Sequence, residues 1–207
     1  MIDGRRGAFH TAGMELTTPR LRLRPPRFAD REAFALLFAE PAVRRYLAIG
    51  ELDAAAAERF AEQFIGTSRY ELRRHGSGAL SVTLAGGGAA IGYCGIRPLP
   101  DRSDARELVY ALLPDCWGSG LATEAAAACL DWCFRSLPMA HAIGFARAEN
   151  VASCRVMRKL GMEHRGLSAR YYDWPLAEYA AAASSWLAAR VQPIEARRSG
   201  ATVSLAG

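Results

Sequence analysis

Between residues 115 and 126 the chain reads DCWGSGLATEAA, and two glycines one residue apart, Gly118 and Gly120, run straight into an alanine-rich stretch. A strand ending at Pro114, a loop carrying these glycines and a helix from about Leu121 gather unpaired backbone N–H groups and the positive end of a helix at one point. Such a point binds anions. Glycine also permits torsions that other residues avoid and lets a phosphate approach the chain closely. The sequence thus points to a di- or polyphosphate ligand, set against the plainer reading that the glycines make a turn. Two phosphate motifs are excluded. A P-loop needs a lysine after its second glycine and none stands here, and a dinucleotide fingerprint places its third glycine where Thr123 lies.

The remaining residues able to do chemistry are less patterned. Cys94, Cys116, Cys129, Cys133 and Cys154 are odd in number and contain no CxxC pair, which suggests neither a disulfide framework nor a zinc site. Cys129 and Cys133, four apart on an expected helix, read either as ligands or as two small apolar core residues. The histidines at positions 10, 75, 141 and 164 match no ligand spacing, so no metal is expected.

The elements that position the glycine loop follow from periodicity. TPRLRLRPP alternates apolar and basic residues and reads as a half-exposed strand closed by Pro25 and Pro26. A helix is expected from about Asp30, and Asp30 or a neighbour could cap it. A short helical segment follows Pro41, and a longer one runs from about Asp53, with Phe60, Phe64 and Leu72 on its apolar side, to RRHGSG. ALSVTLAGGGAAIGYCGIRPL reads as a hairpin around GGG, and RELVYALLP, after a polar turn PDRSD, as the third strand of an antiparallel meander. Leu121, Ala125, Ala128, Cys129 and Trp132 fall on one helical face. HAIGFARA is then a strand and VASCRVMRKLG a helix ending at Gly161. This order implies a parallel crossover that lays HAIGFARA beside RELVYALLP. RYYDWPLAEYAAAASSW is expected to add two short strands.

At 207 residues the chain suits one domain, placed at 14–190 between a flexible leader (1–13) and a flexible tail (191–207). No run approaches the roughly 18 to 20 apolar residues of a membrane span, and the opening lacks the apolar core of a secretory signal, so a cytoplasmic protein is expected. The net charge of +5 invites a nucleic-acid reading. Lys159 is the one lysine among 26 basic residues, however, which looks like compositional bias rather than a designed patch.

ELVYALLPDCWGSGLATEA, followed by ARAENVASCRVMRKLGMEHRG, resembles the GNAT acetyltransferase superfamily, in particular its RimJ/RimL branch of ribosomal-protein N-terminal acetyltransferases. The opening LTTPRLRLRPPRFADREAF is similar to that branch too, so the resemblance runs from about Glu15 to Trp186. It implies an α/β (α+β) GNAT fold: a mixed sheet of six to seven strands with an antiparallel N-terminal meander, a parallel crossover pair at the acyl-CoA site, and helices on both faces. It implies acetyl-CoA as acyl donor, with the pyrophosphate of coenzyme A held by Trp117, Gly118, Ser119, Gly120, Leu121, Ala122 and Thr123. The pantetheine arm would lie along Leu112 and Leu113. Asn150 and Ser153 match the branch's Asn-x-x-Ser, which faces pantetheine and thioester; Asn150 also reads as a plain helix cap. Ser153 shares a face with Val156, Met157 and Leu160 and should point inward.

The resemblance also makes Glu107 the expected catalytic base, acting through a water, although a surface ion pair with Arg97 or Arg106 would explain it too. Ser153 is the expected partner of the leaving sulfur, with Tyr110, Tyr171 and Tyr172 as phenolic alternatives. Glu124 reads as a favourable acid in the first helical turn. Two residues depart from the family pattern: Val109 stands for a glycine beside the bulge expected in this strand, and Cys116 stands for an aromatic residue, where its thiol could lie exposed near the donor.

An acetyl acceptor must be a neutral amine. At pH 7 a lysine amine is only about 0.04% neutral and an α-amine roughly 14%, so an α-amine asks far less of a base. The resemblance implies a protein N-terminus as the favoured acceptor, with a small-molecule amine such as an amino acid, polyamine or aminoglycoside as the alternative. Acceptor contacts are expected from the first two helices, IRPLPDRSD and YYDWP. A non-catalytic acyl-CoA sensor is the reading from another class. A homodimer is compatible with the branch.

Overall fold

The computed structural model describes residues 15–47 and 49–190; the expected leader and tail lie outside them. β1 (Leu16–Thr17) and β2 (Leu21–Arg24) pair antiparallel, with Leu21 and Leu23 fully buried and Arg22 exposed between them. A 3-10 turn at Phe28–Asp30 leads into α1 (Arg31–Ala39), followed by α2 (Pro41–Arg44) and α3 (Ala54–His75).

Asp30 stands at the N-cap position of α1 but does not cap it. Its buried carboxylate instead accepts from both terminal nitrogens of Arg24 at 2.7 Å, from the Arg27 amide at 2.8 Å and from the Ser81 hydroxyl at 2.7 Å. A bidentate guanidinium outcompetes one amide of a helical turn. α3 is capped as expected. Asp53 accepts from the Ala56 amide at 2.7 Å, and Gly76, left-handed at φ 68°, closes the far end.

β3 (Ala79–Leu84), β4 (Gly92–Leu99) and β5 (Arg102–Leu112) form the antiparallel meander, its first turn made by Gly87 and Gly88 at positive φ. β5 starts within the stretch read as a polar turn, because Arg102 pairs with Leu99 and its guanidinium holds Asp104, two residues along the same strand face, at 2.7 Å. α4 (Leu121–Ser136) crosses to β6 (His141–Ala146), which runs parallel to β5. α5 (Val151–Lys159), β7 (Glu163–Ser168), β8 (Leu176–Ala182) and α6 (Ala183–Arg190) complete the order.

Among the described residues the sheet has eight strands, ordered β1-β2-β3-β4-β5-β6-β8-β7, against about six to seven expected. β1 is two residues long, too short to show a period. β7 is an edge strand of mostly exposed residues with a left-handed Gly166 and no apolar alternation to reveal it. The two strands expected between Arg170 and Trp186 are one, β8; residues 169–175 form a loop, and the ASSW segment begins α6.

Helices cover both faces. Leu80, Val82, Cys94, Ile96 and Leu108 pack with α4 and α5, while Ala79 and Tyr93 pack with Phe34, Leu37 and Phe38 of α1 and Ile65 of α3. The buried face of α4 centres on Ala125, Ala126, Cys129, Leu130 and Cys133, so Ala128 and Trp132, placed on it from the sequence, flank it half-buried. Cys129 and Cys133 lie in that core with Cys94, and burial raises the thiol pKa values of Cys94 and Cys133 far above the ordinary range. Among the described residues no group of three or more His, Cys, Asp and Glu could hold a metal ion.

Candidate active site

The sheet divides within β5. β4 accompanies it to Leu112, with Gly95 opposite Val109 in unbroken register, whereas β6 pairs with it only over Ala105–Leu108. The irregularity in the β4 pairing lies at Pro98 and Leu99, so no bulge adjoins Val109; what opens there is the β6 side of β5. From Val109 onward the β6 edge of β5 carries no strand, and a cleft of about 240 Å³ enters the gap. Glu107, Val109, Tyr110 and Ser153 all line it.

β5 leads directly into the glycine loop. A 3-10 turn at Pro114–Cys116 reverses the chain, with the Cys116 amide donating to the Leu113 carbonyl and the Trp117 amide to Pro114. Gly118 and Gly120 then adopt left-handed torsions, φ 74° and 83°, and α4 begins at Leu121. The amides from Gly118 through Thr123 donate to no acceptor among the described residues, and the first protein-bonded amide beyond them is that of Glu124, to Gly120. This nest of unbonded N–H groups stands at the positive end of a sixteen-residue helix, an arrangement that favours negative charge. A strand advances about 3.3 Å per residue, so the nest and the cleft are served by one short run of β5.

The loop is held from outside. Glu124 accepts from the Thr18 hydroxyl at 2.6 Å, the Arg20 amide at 3.0 Å and Arg20 Nε at 2.6 Å, while Arg20 Nη1 donates to the Ser119 carbonyl at 2.8 Å. Burial pushes the Glu124 carboxyl up, but these donors outweigh it and hold it below its ordinary range. The Trp117 indole stays half-exposed and donates to the Leu112 carbonyl at 2.6 Å. Leu113 is already engaged at both backbone groups, its amide with Ile91 at 2.9 Å and its carbonyl with Cys116. Cys116 is half-buried, and burial raises its thiol.

Glu107 is buried, not a surface ion-pair residue: Arg97 bonds Glu71 at 3.2 Å and Arg106 bonds the Ser77 hydroxyl at 2.9 Å. The partner of Glu107 is the Tyr172 hydroxyl, which donates to it from the β7–β8 loop. Burial raises the carboxyl above the ordinary range, opposed by the Tyr172 hydrogen bond and the Arg97 charge.

Ser153 points inward as its helical spacing predicts. Its hydroxyl lies 2.8 Å from the Tyr110 hydroxyl, and its amide donates to the Asn150 side chain at 3.0 Å, so Asn150 is a helix cap. Burial raises the Tyr110 phenol far above its ordinary value, which keeps it a hydrogen-bond donor.

Two aromatic clusters line the same cleft as walls. Phe38, Phe60, Phe64 and Tyr93 make one, with rings 4.8 Å (Phe38–Phe60) and 4.7 Å (Phe64–Tyr93) apart. Phe145, Tyr172 and Trp174 make the other, with Phe145 5.6 Å from Tyr172. The loop bearing Tyr172 and Trp174 is tied down by Arg170 and Tyr171, both bonded to Asp101. The sequence points to the first two helices, IRPLPDRSD and YYDWP as acceptor regions, but offers Phe60 and Phe64 only as the apolar side of a helix and Tyr172 only as a phenol for the leaving sulfur. It gives no sign of Arg147 or of the Glu107–Tyr172 pairing, because contacts across the sheet leave no local spacing.

Comparison with known proteins establishes the family and the fold. Residues 20–163 match the acetyltransferase (GNAT) domain. The chain is 31% identical over 170 residues to the uncharacterized protein YkkB of Bacillus subtilis, covering 81% of this chain and 95% of that one. It superposes on an acetyltransferase of Agrobacterium tumefaciens with a TM-score of 0.67 at 28% identity, over 81% of this chain and 94% of the other. It shares the fold of Mycobacterium smegmatis RimJ, solved in complex with CoA-disulfide, with a TM-score of 0.69 at 22% identity, over 86% and 93% of the two chains. The chain belongs to the GNAT acetyltransferase family and is an acyltransferase.

Proposed function

We propose that the protein transfers acetyl from acetyl-CoA to the α-amine of an acceptor, a protein N-terminus being favoured as in the RimJ/RimL branch. The observation that carries this reading is the unpaired run of amides from Gly118 through Thr123, set at the end of the strand that bears Glu107. Those amides hold the pyrophosphate, Trp117 packs beside it, and the pantetheine follows the β6 edge of β5 past Leu112 into the cleft. With the Leu113 backbone already engaged, the arm's hydrogen bonds fall to residues earlier in β5.

Glu107, through a water, takes the proton of the attacking amine. The amine nitrogen bonds to the thioester carbonyl carbon and the C–S bond breaks. The Tyr110–Ser153 pair hydrogen-bonds the departing thiolate, which takes up from solvent a proton equal to the one Glu107 accepted and later returns, and so leaves as the thiol of coenzyme A. Ser153 is placed for this by the Asn150 cap, which fixes the first turn of α5.

Calorimetric titration with acetyl-CoA, followed by thiol release with pooled N-terminal peptides, lysine peptides, polyamines and amino acids, tests the proposal. Binding together with release on an α-amine is expected. Absence of acetyl-CoA binding would remove the role given to Gly118–Thr123, and release confined to lysine or polyamine substrates would remove the α-amine.

A further inference from the structure

Resting on that acetyl-transfer reading, we infer that the acceptor is an α-amine borne by an aromatic or bulky aliphatic residue with a carboxylate beside it. Its apolar body lies between the two aromatic walls, and its carboxylate is bound by Arg147.

The walls carry the first half. Phe60, Phe64 and Tyr93 on one side and Phe145, Tyr172 and Trp174 on the other line the cleft. All of these rings but Tyr93 are only half-buried, so they leave apolar surface open in the cleft. An acceptor with a methyl or hydroxymethyl side chain would leave them hydrated. An aromatic or branched aliphatic side chain would cover them, and apolar area removed from water is the main source of affinity at such a site.

Charge carries the second half. The charged side chains lining the cleft are Arg97, Glu107 and Arg147. Arg97 is committed to Glu71 at 3.2 Å, and Glu107 is buried beneath Tyr172. Arg147 has no carboxylate within ion-pair distance among the described residues. Its guanidinium lies 4.7 Å over the Trp174 ring, and its Nε is buried without a hydrogen-bond partner. A buried N–H of a cation left unbonded is costly, and a carboxylate from the acceptor satisfies it. A polycation would instead meet this unneutralised guanidinium, and no free carboxylate lines the cleft to receive its further charges.

The same chemistry has two sources. The carboxylate is the α-carboxylate of a free amino acid, or the acidic side chain at the second position of a peptide. In either case the transfer is complete with the two substrates: the N–acetyl bond forms, the C–S bond breaks, and the amine's proton is balanced by the thiol.

Thiol release by the full chain with acetyl-CoA tests this across phenylalanine, phenylalanine amide, alanine, peptides beginning Phe-Glu, Phe-Lys and Ala-Glu, and spermidine. We expect phenylalanine or the Phe-Glu peptide to exceed its alanine counterpart about 10- to 200-fold in kcat/KM, the range an apolar pocket gives. Which of the two is faster identifies the source. Amidating the carboxylate, or changing Glu to Lys, should raise KM about 10- to 100-fold, the worth of a hydrogen bond to a charged group. Arg147→Gln should erase the difference between phenylalanine and its amide while the calorimetric acetyl-CoA affinity is kept. Equal or faster turnover of alanine, the Ala-Glu peptide or spermidine overturns the inference, as does acetyl-CoA binding without release on any Phe-led substrate. These outcomes leave acetyl transfer itself standing. Failure to bind acetyl-CoA removes both.

Discussion

Tyr172, in the loop between β7 and β8, donates its hydroxyl to Glu107 in the middle of β5. The contact joins the β7–β8 loop to the carboxylate proposed as the base, and it gives Glu107 a pH signature. Burial raises the carboxyl above its ordinary value of 4.5, and the Tyr172 hydrogen bond pulls it partly back. Glu107 accepts a proton only when ionised, so kcat/KM should rise as pH climbs through this raised value, and rise again as the acceptor amine deprotonates near about pH 7.8. In Glu107→Gln the lower of the two steps should vanish and the plateau should fall about 10²-fold, the lower end of general-base effects, because an α-amine asks little of a base.

Tyr172→Phe separates two roles for the phenol. Removing the donor leaves burial less opposed, so the Glu107 pKa rises further and the acid limb of kcat/KM shifts to higher pH with its plateau kept within a few-fold. A lowered plateau with an unshifted limb would make Tyr172 the proton source for the sulfur instead. The pH–rate profiles of wild type and variant, measured on one acceptor, decide between them.

Gly118 and Gly120 should be separable from ordinary turn glycines. Alanine at left-handed φ costs about 1–2 kcal/mol, about 2–8 °C in Tm for a domain of this size. Gly87, left-handed at φ 92° in the β3–β4 turn with open space around it, provides the control. All three alanine variants should lose similar stability. Only Gly118→Ala and Gly120→Ala should also weaken acetyl-CoA, by about tenfold or more, since relaxation of φ turns successive amides away from a common point. Equal acetyl-CoA affinity in the three would separate the nest from donor binding.

The glycine loop, the meander and the crossover were legible in the sequence because each rests on local signals: bare glycines, alternation, and a 3.6-residue period. Ser153's inward orientation followed from the same period. What escaped was set across the sheet. Tyr172 meets Glu107 over 65 positions, and Arg147 lies against Trp174 only because β6 and the β7–β8 loop converge beside the gap. Asp30 shows the same limit, since its position at a helix start predicts a cap while its burial beside Arg24 dictates an ion pair. The edge strands β1 and β7 were missed because strands with one neighbour and a mostly exposed surface need no apolar alternation.

The Arg20–Glu124 contact should act on donor binding through the loop it steadies. Arg20 reaches both the Glu124 carboxylate and the Ser119 carbonyl, but its side chain is 49% exposed, so its effect on global stability should be about 1 kcal/mol or less. Arg20→Ala should speed hydrogen exchange at Gly118–Ala122 and weaken acetyl-CoA several-fold with little change in Tm. Lysine cannot reproduce the forked contact, so Arg20→Lys should recover neither property fully. Unchanged exchange in Arg20→Ala would show that the glycine torsions alone fix the loop.

Asp30 should govern the acid stability of the fold. It is 5% exposed and accepts from Arg24, Arg27 and Ser81, tying the start of α1 to β2 and β3. Burial pushes its carboxyl up, but the Arg24, Arg27 and Ser81 hydrogen bonds prevail and hold it below its ordinary 3.8. A depressed folded-state pKa gives stability that is fully present above the unfolded value and is lost as pH falls through the folded one. The wild type should therefore keep this contribution at neutral pH and lose it only below about pH 3.9. Asp30→Ala leaves the Arg24 guanidinium, whose side chain is 13% exposed, without its partner, and should cost about 3–5 kcal/mol at pH 7. The difference between variant and wild type should shrink as the pH is lowered through the folded pKa, because protonation removes the same charge from the wild type. Denaturant unfolding at pH 7 and at successive values below pH 4 measures it, and a difference independent of pH would mean that Asp30 acts by shape rather than by charge.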